Sequence, residues 1–199
     1  MPNPETVKTL GRALATVSLL FLVSHVKAQL PDAGRLALCA ACHGSLGNSQ
    51  IAAIPSLAGQ PRVFLENQLV LIREGLRDIP PMKGILDNVK DPEIIQLATY
   101  FSSQTPAKVK GNIDGVKYQR GQDLSRKMLC GTCHLPDYAG RQQIPRLAGQ
   151  QEVFLLYAMK QFRDHSGPGR DTIMSASLYG LKDNELDDIS HFLANFKQD

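Results

Sequence analysis

Two stretches carry the reading of this chain: CAACHGSLGNSQIAAIPSLAGQ at residues 39–60 and CGTCHLPDYAGRQQIPRLAGQ at residues 130–150. Each opens on Cys-X-X-Cys-His and closes on Ile-Pro-X-Leu-Ala-Gly-Gln. Cys39 and Cys130 are 91 residues apart, and Ile54 and Ile144 are 90 apart. Further on, Met82 and Met174, Val89 and Leu181, and Ile94 and Leu186 are each 92 apart. An offset that drifts so little over more than sixty positions marks a duplicated unit with short loop insertions.

The 199 residues divide accordingly. Residues 29–102 form a first unit and residues 115–199 a second. Between them, Ser103 to Asp114 is polar, contains Pro106 and Gly111, and reads as a linker. Units this short bury a small core and need a staple.

Both units read as α-helical. Leu65, Leu69 and Ile72 fall at helical spacing, as do Leu155, Met159 and Phe162 in the second copy. Ile94, Leu97, Ala98 and Phe101 form another stripe, matched by Leu186, Ile189, Ser190 and Leu193. Asp91 before Pro92, and Asp183 in the other copy, are the expected N-caps of these last helices. No alternation suggests a sheet.

Only four cysteines are present, Cys39, Cys42, Cys130 and Cys133, and each Cys-X-X-Cys pair runs directly into a histidine. That is the pattern of covalent c-type haem attachment. The thiols add across the haem vinyl groups, and His43 or His134 is carried beneath the iron as proximal ligand. A Cys₄ zinc site would leave both histidines and the duplication without a role. A thioredoxin-like redox pair would need a βαβ context that is missing.

The second axial ligand must come from elsewhere in each unit. Met82, in IPPMKGIL, and Met174, in DTIMSASL, lie 39 and 40 residues after their histidines. Both are expected in loops. Met159 lies on a helical stripe and is expected in the core, while Met128 is too near Cys130 to reach the distal side. His165 and His191 are weaker candidates; His191 falls on the terminal helix and is expected on an exposed face. His25 belongs to the leader. Pro55 and Pro145 follow the histidines by 12 and 11 residues. A proline offers a carbonyl without an N–H, suited to fixing the tautomer of a ligating histidine.

Residues 1–28 read as a secretory signal: Lys8 and Arg12 precede an apolar run from Ala13 to Val23, and Val26-Lys27-Ala28 offers a cleavage site. The run is short for a bilayer, which takes ~20 residues; an uncleaved anchor is the alternative. The formal charge is +3, and loss of the leader removes three cations and one anion. No basic run of the kind nucleic-acid binding needs is present.

With Cys-X-X-Cys-His, a later proline, a distal methionine and a terminal helix, each unit resembles a class I cytochrome c domain. The tandem arrangement resembles the dihaem cytochrome c4 family over essentially all of the chain after the leader. The resemblance implies an all-α fold of two tandem class I cytochrome c domains, each wrapped around one covalently bound haem c. It implies thioether bonds at Cys39, Cys42, Cys130 and Cys133, and iron ligation by His43 with Met82 and by His134 with Met174. It further implies a periplasmic one-electron carrier of the respiratory chain rather than an enzyme. The donor would be one such as a quinol:cytochrome c reductase and the acceptor a terminal oxidase, with work often done at the membrane surface. A permanent electron-transfer subunit of a larger complex, or a dihaem peroxidase or thiosulfate dehydrogenase, are the rival readings. Two departures stand out: the helix before Cys39 is short, and Leu135 follows His134 where Gly44 follows His43.

Overall fold

The computed structural model describes residues 30–107, 113–164 and 169–197. The leader with His25, the middle of the expected linker, and His165 lie outside these residues. Among the described residues eight α-helices account for the regular structure: α1 Ala33–His43, α2 Arg62–Arg73, α3 Asp91–Ser102, α4 Gly115–Lys127, α5 Cys130–His134, α6 Glu152–Asp164, α7 Thr172–Leu178 and α8 Asp183–Ala194. Short 3₁₀ turns occupy Ser45–Gly47 and Pro80–Met82. The described residues contain no strand, only an isolated bridge between Arg141 and Ile144. None of their helices is long and apolar enough to cross a membrane.

Two cores form, one per repeat. In the first, Leu65 of α2 packs against Ile94, Leu97, Ala98 and Phe101 of α3. In the second, Leu155 and Met159 of α6 meet Leu186, Ile189 and Phe192 of α8. These are the stripes seen in the sequence, and Met159 is buried as expected. Each fully buried aliphatic or aromatic side chain contributes roughly 1.5–3 kcal/mol of burial free energy.

The second core is the more aromatic. Phe192 meets Tyr118, Tyr138 and Phe196 edge-on, with ring centroids 5.1, 5.5 and 5.6 Å away. Tyr138 occupies the place of Gly47 in the first unit, and its hydroxyl pairs with the buried Ser125 hydroxyl at 2.9 Å. Gly47 has no such room: a Cβ there would come within 2.7 Å of the Phe101 ring.

Three expectations from the sequence need correction. Met174 is not in a loop but in α7, where the Asp171 carboxylate caps the helix by accepting from the Met174 N–H at 2.8 Å. The terminal helices begin at their expected caps rather than after them. Lys90 and Lys182 hold the N-cap positions, and Asp91 and Asp183 lie inside the first turn, where a carboxylate complements the helix dipole. Asp91 also reaches Arg73 at 2.8 Å, and Asp183 reaches Lys160 and Arg163. His191 is buried, not exposed: it is drawn inward by Glu152, 2.9 Å from Nδ1, while Nε2 accepts from the Asp114 N–H at 3.2 Å.

Candidate haem sites

Local structure brings each Cys-X-X-Cys-His segment to the same place by two routes. In the first unit α1 runs unbroken through Cys39 and Cys42 to His43. In the second, Leu129 adopts a left-handed conformation at φ 57° that ends the turn after α4 and starts α5 afresh at Cys130. Both routes leave the histidine at the buried end of its helix, with Cys42 and Cys133 exposed and Cys39 and Cys130 half-buried.

The histidines are held alike. The Nδ1–H of His43 donates to the Pro55 carbonyl at 2.8 Å, and that of His134 to the Pro145 carbonyl at 2.9 Å. A carbonyl can only accept, so this bond places the proton on Nδ1 and leaves the Nε2 lone pair for a metal. Burial pushes both imidazoles below their ordinary pKa, with the proline carbonyls acting in the opposite direction. The neutral, metal-binding form is thus the favoured one.

The proline turns are themselves anchored. Leu57 and Ala58 donate their N–H groups to the Gly47 carbonyl, and Leu147 and Ala148 donate to that of Tyr138. Gly59 and Gly149 then donate to Phe101 and Leu193 at the ends of α3 and α8, both at 3.0 Å. The terminal helix of each unit therefore fixes the turn that fixes the histidine.

Met82 closes the 3₁₀ turn Pro80–Met82 and is half-buried against the first core. Met174 is half-buried against the second. The structure thus sets one methionine and one oriented histidine in each unit.

None of the four cysteines is paired in a disulfide. Burial pushes the Cys39 and Cys130 thiols up; Arg35 opposes this at Cys39, and a hydrogen bond from Ser125 opposes it at Cys130. No three His, Cys, Asp or Glu side chains converge as a metal site among the described residues, so the cysteines do not meet as a Cys₄ zinc site requires.

Two arginines escaped the sequence reading. Arg77 is half-buried, bonded to the Gln68 amide oxygen, and pairs with no carboxylate among the described residues. Burial and the neighbouring Arg170 both lower its pKa. The backbones meet here: a Cβ on Gly169 would lie 2.4 Å from the Leu76 carbonyl oxygen. Arg170 donates to Gln161 at 3.1 Å and lies over the Phe162 ring. Two cations together, with no carboxylate paired to either among the described residues, suit the carboxylates of an acidic cofactor such as haem. Paired cysteines, oriented imidazoles, methionines and cations all fit that group. The arginines show no shared sequence motif, and only their meeting in space marks them.

The Cytochrome c family model matches residues 118–197. The chain is 30% identical to cytochrome c4 of Azotobacter vinelandii over 92% of its own length and 98% of that protein. It belongs to the cytochrome c4 family. Cytochromes c4 are electron carriers rather than enzymes, and this chain is accordingly a c-type cytochrome with covalently bound haem c. The crystal structure of reduced recombinant cytochrome c4 from Pseudomonas stutzeri matches with a TM-score of 0.77 at 30% identity, covering 84% of this chain and 100% of that one. A protein named thiosulfate dehydrogenase electron acceptor, from Thiomonas intermedia, is 31% identical over 79% of this chain and 76% of its own length.

Proposed function

We propose that this cytochrome c4 is a periplasmic carrier of single electrons between respiratory partners, running towards a terminal oxidase. Its two units, residues 29–102 and 115–199, are joined by a linker at 103–114. Each holds one haem c: through Cys39 and Cys42 with His43 and Met82 as axial ligands, and through Cys130 and Cys133 with His134 and Met174. The observation that carries this reading is the pair of matched imidazole–proline bonds, 2.8 and 2.9 Å, each of which frees Nε2 for iron.

Haem, when bound, supplies reversible one-electron exchange at iron. The protein's share is to hold that exchange in place. The two cysteines of each unit would anchor the ring through thioethers to the helix that ends on the histidine, and the proline carbonyl keeps the imidazole in one tautomer. Met82 and Met174 would each offer the iron a thioether, a ligand that raises the potential relative to two histidines. Transient redox partners need only a small contact, typically below about 1,200 Å².

The signal read in residues 1–28 supports export. The Thiomonas relative favours a second donor beside a quinol:cytochrome c reductase: a sulfur-oxidising dehydrogenase delivering electrons to the same haems.

A redox titration followed by optical and near-infrared spectra tests the reading. Two haem equivalents, both low-spin and both showing the weak methionine–iron charge-transfer band, are expected. One equivalent of that band, or a high-spin haem with peroxide turnover, would overturn it. Mixing the reduced protein with a terminal oxidase, and the oxidised protein with a thiosulfate dehydrogenase, separates the partners.

A further inference from the structure

The last residue of each Ile-Pro-X-Leu-Ala-Gly-Gln segment turns its amide away from its own unit, where the one side-chain bond is from the Gln151 N–H to Gln150 Oε1 at 2.9 Å. Gln60 and Gln150 are buried, at 5% and 6% exposure, and both reach across to the other unit. Gln150 donates from Nε2 to the Ser56 carbonyl at 2.9 Å and accepts at Oε1 from the Ser56 N–H at 2.8 Å. Gln60 does the same to Arg146, at 2.9 and 3.0 Å. The two clamps are reciprocal, as a pseudo-twofold junction requires.

What they grip matters. Ser56 follows Pro55 and Arg146 follows Pro145. Each glutamine therefore takes the N–H of the same peptide group whose carbonyl holds the histidine. A peptide group is conjugated, so accepting from its N–H pushes electron density onto its oxygen. Hydrogen bonds in such a chain strengthen one another by roughly 10–30% each. A stronger acceptor draws the Nδ1–H of the imidazole outward and makes Nε2 a better donor to iron, which favours the ferric state.

We propose that Gln60 and Gln150 are positioning residues for the opposite haem site, each setting the donor strength of the other unit's proximal histidine through a Pro–X peptide. This rests on His43 and His134 being iron ligands. An interface role alone would not require the glutamines to land on these two peptides. The Gln151 side chain supplies the contrast: it donates across the same junction to the Ser49 carbonyl at 2.7 Å, touches neither peptide, and has proline, Pro61, as its counterpart, while its backbone N–H to Gln150 is kept in any side-chain variant.

The test uses the holoprotein and the variants Gln150→Leu, Gln60→Leu and Gln151→Leu. Both potentials are read by spectroelectrochemistry, each haem being assigned by NMR through its axial methionine. Gln150→Leu is expected to raise the potential of the His43 haem by about threefold in its reduction constant, about 28 mV at 59 mV per decade. Gln60→Leu should do the same to the His134 haem, and Gln151→Leu should move neither. Shifts in the haem of the variant's own unit, equal shifts at both haems, or shifts matched by Gln151→Leu would overturn the proposal. Should the leucine variants lose haem, Gln150→Glu and Gln60→Glu keep the accepting oxygen. They should move the Nδ1–H proton resonance of the opposite histidine downfield in the ferrous protein; an unmoved resonance refutes the link. The ligand reading fails separately, since it is judged on the unmodified protein's axial spectrum.

Discussion

Gly44 and Leu135, each the residue after a haem-site histidine, share one backbone conformation: φ 78° and ψ 165° at Gly44, φ 71° and ψ 157° at Leu135. That region is essentially glycine's own, and a side chain in it costs on the order of 1–3 kcal/mol. The chain must turn away sharply from the histidine in both units, so the strain is imposed by the site. The first unit avoids it with glycine and the second accepts it.

Gly44→Ala should therefore destabilise the first unit severely, by about 3 kcal/mol or more. It adds the strain and places a Cβ 2.0 Å from the Asn48 carbonyl oxygen. Leu135→Gly should raise the unfolding midpoint of the second unit. Denaturant unfolding of the holoprotein, followed at each haem, checks both; a Gly44→Ala midpoint equal to wild type would refute the argument.

Gly121 lets α4 lie directly on α8. A Cβ there would fall 2.0 Å from the Asp188 carbonyl oxygen and 2.7 Å from the Phe192 Cβ. Gly121→Ala should separate the two helices and lower stability by roughly 1–3 kcal/mol, as overpacking does. Near-ultraviolet circular dichroism should report loosening of the aromatic cluster at Phe192.

Asp114 caps α4, accepting from the Val116 and Lys117 N–H groups at 3.0 Å. The Lys117 N–H is the largest influence holding its pKa below the ordinary carboxylate value. A depressed folded pKa gives stability that is full above the unfolded value of about 3.9 and is lost as pH falls through the folded one. Asp114→Asn keeps the cap but removes the charge. It should be less stable than wild type at neutral pH, with the gap closing below about pH 4. Urea midpoints across that range decide it, and a gap independent of pH would refute the argument.

Arg77→Gln removes a half-buried cation from beside Arg170. With less positive charge near the cofactor the ferric state gains, and the reduction potential should fall, by less than the ~1 kcal/mol that two unit charges ~4 Å apart are worth in water. A rise, or no change at either haem, would place Arg77 away from the haem carboxylates.

Much was legible in the chain itself. The two Cys-X-X-Cys-His segments, their duplication and the helical stripes are local patterns, set by spacing along the backbone. Covalent attachment makes the cofactor a matter of sequence, because both thiols and the histidine lie within five consecutive residues. Pro55 and Pro145 stood out for the same reason, as recurring residues a fixed step from the histidines.

What the tertiary structure alone decided depends on groups far apart in the chain. His191 looked like a surface residue because the helical period cannot show Glu152 waiting inside. Met174 looked like part of a loop because the cap at Asp171 offsets a weak helix of seven residues. Arg77 and Arg170 became a pair only where two loops touch. Gln60 and Gln150 were visible as repeated letters, but their reach of 86 and 94 residues along the chain appears only in the fold. The sequence determined what each unit binds, since that chemistry is local and covalent. The structure decided how each unit's proximal peptide is gripped by the other, because a buried amide is satisfied only by a partner that packing brings to it.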